Sequence, residues 1–181
     1  MNPAGRAFSE PVHRLQPVQQ PSDGAMVKIK EKTTWTFRLS GKAETSTRLK
    51  VKARDFQLTI DEPVERGGTN EGAMPVEIMM AGLLGCTHVI TNKLAQHHSV
   101  KIHDMDIDCQ VTMDSRGTRL VEPIDLPFPK VVLDINVQAE GQQSDIDIVT
   151  AQLKNHCAVS KVLQQAGTEV IERWHVTNVA S

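Results

Sequence analysis

Cysteine is the side chain in this sequence best suited to nucleophilic or redox chemistry, and the chain holds three: Cys86, Cys109 and Cys157. A thiolate attacks disulfides and peroxides, and its oxidation to sulfenic acid and then to a disulfide is reversible. An odd, sparse set without a C-x-x-C pair predicts neither a secreted disulfide framework nor a structural zinc site. Each cysteine sits in a different pattern. Cys109 alternates in register with Met105, Ile107, Val111 and Met113, opposite Asp104, Asp106, Asp108, Gln110 and Thr112, and reads as a small hydrophobe on a strand's core face. Cys86 follows Gly82 and Gly85 in an apolar helical run and precedes Thr87-His88. Glycine inside a helix costs about 1 kcal/mol against alanine. Two of them imply close approach, either by a second helix with Cys86 as a packed core residue or by a ligand near the thiol. Cys157 follows Asn155-His156 at a break between two helical segments. With Asn155 as N-cap it falls in a first turn, where backbone N–H groups favour a thiolate. Without that cap it is a half-buried cysteine.

Other chemistries find less support. Cys86 and His88 are two apart on a helix and diverge, His97 and His98 are adjacent, and His103 opens a strand, so no metal site is expected. No G-x-S-x-G elbow is present. The loop with Gly67, Gly68 and Gly72 lacks the P-loop lysine and the dinucleotide glycine spacing. A formal net charge of −2 and 3% aromatic residues argue against nucleic acid, bound either by charge or by stacking, and against an anionic membrane surface. No apolar run reads as reaching the ~18 residues of a membrane span. The N-terminus lacks the basic-then-apolar pattern of a secretory signal, so a reducing, cytoplasmic setting is expected.

The elements that must position these residues follow from periodicity. Pro3, Pro11, Pro17 and Pro21 with no apolar period predict a flexible arm over residues 1–25, and a single domain is expected over 26–181. Trp35, Phe37 and Leu39 alternate as a half-buried strand. Leu49, Val51 and Ala53 then change parity to Phe56, Leu58 and Ile60, which places a hairpin turn at Arg54-Asp55. Pro75 suits a helix start, and Val76 to about Gln96 is apolar on nearly every face, which predicts a helix buried all round. Two long strands follow, through Met105–Met113 and Lys130–Gln138. Ser144 and Asp147 resemble a capping box, a second helical segment runs from Cys157 to Gln165 and stops at Gly167, and Val170, Trp174 and Val176 form a last strand. Strands, helix, strands, helices, strand is an α+β order.

The string Asp61-Glu62-Pro63, Gly67-Gly68 and Pro75-Val76-Glu77-Ile78-Met79-Met80-Ala81-Gly82-Leu83-Leu84-Gly85-Cys86-Thr87, with His156-Cys157-Ala158-Val159-Ser160-Lys161-Val162-Leu163 further on, resembles the OsmC/Ohr superfamily of osmotically inducible and organic-hydroperoxide-resistance proteins. The resemblance spans roughly Trp35 to Trp174. It implies an OsmC-like fold: an intertwined homodimer in which a curved, antiparallel-rich sheet wraps buried central helices. It implies a thiol peroxidase that reduces organic hydroperoxides without metal or bound cofactor and is re-reduced by a dithiol, a lipoyl-type protein or a small thiol. Carried onto this chain, Cys86 is the peroxidatic cysteine and Cys157 the resolving one. A mid-helix thiol gains little from the helix dipole, so an arginine must favour the thiolate. The family supplies one from an early strand, for which Arg48 is the candidate and Arg38 the runner-up. Glu77 matches the family's helix-start glutamate that orients the arginine. Its Pro-x-Glu spacing is closer to the OsmC-like branch than to the hydroperoxide-resistance branch, and Ala158 is a second departure, standing where proline often follows the second cysteine. A non-enzymatic redox-responsive or small-molecule-binding dimer is the alternative that the same residues allow.

Overall fold

The computed structural model describes residues 33–179, and the parity change at Arg54-Asp55 becomes the hairpin turn expected there. β1 (Leu39–Ala43), β2 (Leu49–Ala53) and β3 (Phe56–Ile60) form an antiparallel sheet in sequence order, with Ala53 opposite Phe56 across the turn. Trp35 and Phe37 do not join it. The β1–β2 ladder ends at the pair Leu39↔Ala53, because β2 turns away at Arg54, whose φ is 57°. Residues 33–37 have no helix or strand, and Trp35 and Phe37 are exposed. The expected arm at 1–25 lies outside the described residues. Among the described residues, 38–179 form one compact unit.

After a 3-10 turn at Val64–Arg66, helix α1 runs Pro75–His97. Its start is fixed twice: Pro75 occupies the first turn, and Glu77 Oε2 accepts the Met74 N–H at 2.8 Å. The second sheet contains β4 (Lys101–Thr112), β5 (Lys130–Glu140) and β6 (Glu169–Asn178), in that order. β4 and β5 are antiparallel, with a bulge between Ile102 and Asp104 that shifts the inward side chains from Ile102 to Met105, Ile107, Cys109 and Val111. β5 and β6 are parallel. Parallel strands require a crossover, and α2 (Gln143–His156) with α3 (Ala158–Gln165) supplies it. The α+β class holds, and the strands fall into two sheets of three.

Two helix starts differ from expectation. α2 begins at Gln143 with no side-chain cap, so Ser144 lies inside it. α3 is capped by Cys157 itself and not by Asn155. Its end matches: Gly167 at φ 97° closes a Schellman turn in which the Gly167 and Thr168 N–H groups bond Gln164 and Leu163 carbonyls.

The core draws on α1–α3 and β4–β6, with Val100, Phe128 and Cys157 from the segments between them. Met80, Leu83, Leu94, Val131, Leu133, Ile135, Ile146, Val149, Leu153 and Leu163 fill it, and no residue of β1–β3 takes part. Sheet β1–β3 leaves Leu39, Phe56 and Leu58 on its exposed apolar face. α1 also departs from the all-round burial expected of it: Leu83, Thr87 and Leu94 face inward, while Met79, Gly82, Gly85 and Val89 are exposed. By length and composition α1 is apolar enough to cross a membrane, a run that the sequence reading did not find, but its inner face closes this core. Leu133, fully buried in the central strand, sets the scale: Leu133→Ala is expected to cost about 2–5 kcal/mol in urea unfolding, and a cost under about 1 kcal/mol would contradict a core organised around β5.

Candidate functional site

Cys86 and Cys157 come together although α1 and α3 are separated by two strands and a helix. Cys86 projects from the middle of α1, partly buried and packed on the core. A helical side chain leans over the turn N-terminal to it, and there Gly82 offers no side chain. A Cβ placed at Gly82 or Gly85 would meet nothing within 4 Å. The close approach that the glycines imply is therefore not made within the single chain. The helix is open beside the Cys86 thiol.

Cys157 is fully buried at the N-cap of α3. Its φ of −72° and ψ of 106° are extended, while its carbonyl already accepts the Lys161 N–H at 3.0 Å. Burial, together with the hydrogen-bonding contact of the Cys86 thiol, pushes the Cys157 pKa up to about 11. The Ser160 and Val159 N–H groups of the first turn oppose that shift. The helix-start environment is thus present, and desolvation outweighs it. Gln164 Nε2 donates to the buried Ser160 hydroxyl at 2.9 Å and ties the first turn of α3 to its second. Cys109 stands apart on β4, its pKa raised by burial, as a core residue would be.

The two other residues singled out from the sequence are held elsewhere. Arg48, at 18% side-chain exposure, donates from Nε to Glu44 Oε2 at 3.0 Å and from Nη1 to Thr69 Oγ1 at 3.0 Å, and pairs with Glu71 Oε2 at 2.5 Å. Glu77 caps α1 through the Met74 N–H. Neither of these contacts reaches Cys86, and Arg38 is exposed at the foot of β1.

Asp61 opens the string that carries the family resemblance, but sequence reasoning assigned it no role. Fully buried, it accepts the Thr69 hydroxyl at 2.5 Å and the N–H groups of Glu62, Thr69 and Glu71 at 2.9, 3.1 and 3.2 Å. The Thr69 hydroxyl, with the Thr47 hydroxyl and the Glu71 and Glu62 amides, holds the carboxyl far below the usual range against the cost of burial. Asp61 thereby folds the loop that presents Thr69 and Glu71 to Arg48. The loop's glycines fit the same purpose: Gly67 has φ 83°, and a Cβ on Gly68 would lie 1.7 Å from the Glu62 carbonyl oxygen. A buried aspartate before a Gly-Gly loop was the available signal. Among the described residues, no group of three or more His, Cys, Asp or Glu side chains is placed to hold a metal ion.

A family model described as OsmC-like protein matches residues 68–173, which include Glu77, Cys86 and Cys157. Among solved structures, the chain resembles an OsmC-like protein from Mycoplasma pneumoniae with a TM-score of 0.67 at 14% identity, covering 79% of this chain and 98% of that one. It also resembles an organic hydroperoxide resistance protein from Elizabethkingia anophelis (TM-score 0.56, 14% identity, 82% and 99% covered). A third is an organic hydroperoxide resistance protein OsmC from Legionella pneumophila (TM-score 0.53, 15% identity, 81% and 99% covered). No match was found among curated proteins.

The state of Cys157 has a measurable consequence. Its folded pKa lies above the ordinary value of 9.0, so the stability it contributes is fully present below about pH 9 and is lost as pH rises through about 11. In urea melts of the reduced protein, stability is expected to fall across that window, and Cys157→Ala is expected to flatten the fall. Equal slopes for the two proteins would show that Cys157 is not held as a thiol.

Proposed function

Because the chain belongs to the OsmC-like protein family, we propose that it is a thiol-dependent peroxidase that reduces organic hydroperoxides with Cys86 as the peroxidatic and Cys157 as the resolving cysteine. The observation that carries this reading is the contact between two thiols from separate helices, one beside an open helix face and one sealed in the core. The Cys86 thiolate attacks an oxygen of the hydroperoxide. The O–O bond breaks, the alcohol leaves with a proton, and Cys86 becomes a sulfenic acid. The Cys157 sulfur then attacks Cys86, forming the S–S bond and releasing water. A dithiol restores both thiols by two exchanges and is itself oxidised to a disulfide. Arg48 is the proposed cation for the thiolate and Glu77 its orienting carboxylate. In the single chain Arg48 is tethered to Glu44, Thr69 and Glu71, which favours, as the second reading, a redox-responsive dimer that oxidises without efficient turnover.

We further propose a homodimer. A three-stranded sheet needs its apolar face covered to be stable, and that of β1–β3 is exposed, as is the Met79–Gly82–Gly85–Val89 side of α1. A second copy fits both. With its apolar face laid on a partner, sheet β1–β3 turns Lys42, Lys50 and Lys52 outward, in the same sense as the exposed Asp104, Asp106 and Asp108 of β4. Edge-to-edge extension of one sheet by the other, β1 beside β4, then sets Lys42 next to that acidic row, with Lys50 and Lys52 one strand further in.

On the peroxidase reading, brief exposure of the reduced protein to cumene hydroperoxide removes two hydrogens from the intact mass, and peptide mapping places the new bond at Cys86–Cys157. Dithiol-driven turnover is abolished in Cys86→Ser and retained in Cys109→Ser. An unchanged mass, or full turnover by Cys86→Ser, rejects the peroxidase reading.

On the dimer reading, Gly85→Trp, whose site is open in one chain, converts the species seen by light scattering from dimer to monomer without loss of helical circular dichroism. A wild-type monomer, or an unaffected dimer, rejects that interface.

A further inference from the structure

Two loops that the cysteine chemistry does not use face each other across a cavity of about 640 Å³. Glu62 and Arg66 line one wall, and Ser115, Thr118 and Arg119 line the other. That volume is within the range of small-molecule sites. Both walls are braced from behind. In the first, Asp61 accepts the N–H groups of Glu62, Thr69 and Glu71, and the Arg66 and Gly67 N–H groups bond the Pro63 and Val64 carbonyls at 2.9 Å. In the second, the Arg116 guanidinium clasps Asp114 and Glu122, and the Arg119 N–H closes a turn onto the Ser115 carbonyl at 3.0 Å.

The lining side chains are charged or hydroxylic, with no aliphatic or aromatic residue among them. Most are already paired. Glu62 Oε2 faces Arg66 Nη1 at 3.8 Å, and that nitrogen also donates to the Met74 sulfur at 3.7 Å. Thr118 Oγ1 donates to the Ser115 carbonyl at 3.1 Å. The carboxylates behind the second wall, Asp114 and Glu122, are taken by Arg116. What is left over is a cation. The exposed Arg119 guanidinium has no hydrogen-bond or ion-pair partner among the described residues, and neither has the Ser115 hydroxyl. With one carboxylate against two guanidiniums, the lining carries a single surplus positive charge.

These groups set the occupant. A free guanidinium takes a carboxylate through two parallel hydrogen bonds. One surplus charge is balanced by a monoanion, whereas a dianion would bring an uncompensated charge beside Glu62. A polar wall gives an alkyl chain nothing to pack against. The Ser115 and Thr118 hydroxyls and the Glu62 carboxylate instead exchange hydrogen bonds with hydroxyl groups. We propose that this cavity binds a small hydroxy-carboxylate of the sugar-acid kind, its carboxylate on Arg119 and its hydroxyls among Ser115, Thr118 and Glu62. The site uses neither cysteine and none of the surfaces assigned to the dimer, so it is tested apart from both of those readings.

Gluconate is the probe, followed through the backbone amide signals of the two loops in ¹H–¹⁵N spectra of the full-length reduced protein. It is expected to move them saturably, with a Kd on the order of 1 mM. Hexanoate has the charge and chain length without the hydroxyls, and glucose has the hydroxyls without the charge. Each is expected to bind at least about tenfold more weakly. Arg119→Gln changes an exposed side chain that no other described group depends on, so it should fold as the parent does, with unchanged circular dichroism, and weaken gluconate by roughly tenfold. Absence of a saturable gluconate shift overturns the proposal. So does hexanoate matching gluconate, which would leave only a charge contact at a surface arginine. Glucose matching gluconate, or gluconate binding undiminished in Arg119→Gln, overturns it as well.

Discussion

Two opposed demands meet in helix α1, and the rest of the structure is arranged around them. The helix must close a core built on β4–β6 and α2, which needs large side chains on one face. On the proposed dimer reading it must also let a second copy come close beside the Cys86 thiol, which needs small ones on another. Met80, Leu83 and Leu94 serve the first demand, and Gly82 and Gly85 serve the second. The glycines lower intrinsic helix propensity, so the helix depends on its capped start and its packed face to stay formed. Pro75, the Glu77 carboxylate on the Met74 N–H and burial on the inner face provide that support. A chain organised in this way leaves apolar surface open on α1 and on sheet β1–β3 together, and one partner can cover both.

Charge is distributed with the same economy. Arg48 is the most heavily engaged cation of the N-terminal sheet. Its position is set through Thr69 and Glu71 by a buried carboxylate that never touches it. Asp61 collects four donors and holds the loop rigid, so the guanidinium is held by a folded loop and not by a flexible surface pair. Glu77, which the family resemblance assigns to the arginine, is occupied with the end of its own helix. One helical position is about 100° of rotation, and the Val76 spacer turns the carboxylate onto the Met74 amide. The shifted spacing is thus expressed in the fold as a capping contact.

Much of this was legible in the sequence where a pattern is local. The Arg54-Asp55 hairpin, the bounds of α1, the faces of β4 and β5 and the stop at Gly167 each follow from alternation, helical period or a left-handed glycine. What was not legible depends on the partner of a segment and not on the segment itself. Trp35 and Phe37 alternate as a strand does, but β2 has already turned away and leaves them no ladder. The apolar side of α1 was read as buried because hydrophobicity records what surface must be covered, not whether this chain or another covers it. Ser144 has a good cap sequence, and the helix starts before it. At the site, pairing of Cys86 with Cys157 came from resemblance alone. No spacing rule predicts that a thiol on one helix will meet the N-cap of another across a parallel crossover.

On the proposed peroxidase reading, the environment of Cys157 constrains how a Cys86–Cys157 disulfide can be reopened. Exchange proceeds by attack on one sulfur and expulsion of the other, and a high-pKa thiol is a poor leaving group. Cys157 is the high-pKa member by virtue of burial, which argues against expelling it. Burial also denies an incoming thiol any approach to Cys157, however, since that residue is fully enclosed while Cys86 is only partly buried. Access therefore directs attack to Cys86 and makes Cys157 the leaving sulfur in spite of its pKa. The Ser160 and Val159 N–H groups then have a definite role. They oppose the desolvation cost of a Cys157 thiolate at the moment it is expelled, and the Gln164–Ser160 bond keeps that first turn in place. A buried cysteine placed at a helix start is suited to this step, whereas one in mid-strand, such as Cys109, has no comparable donors to receive the charge.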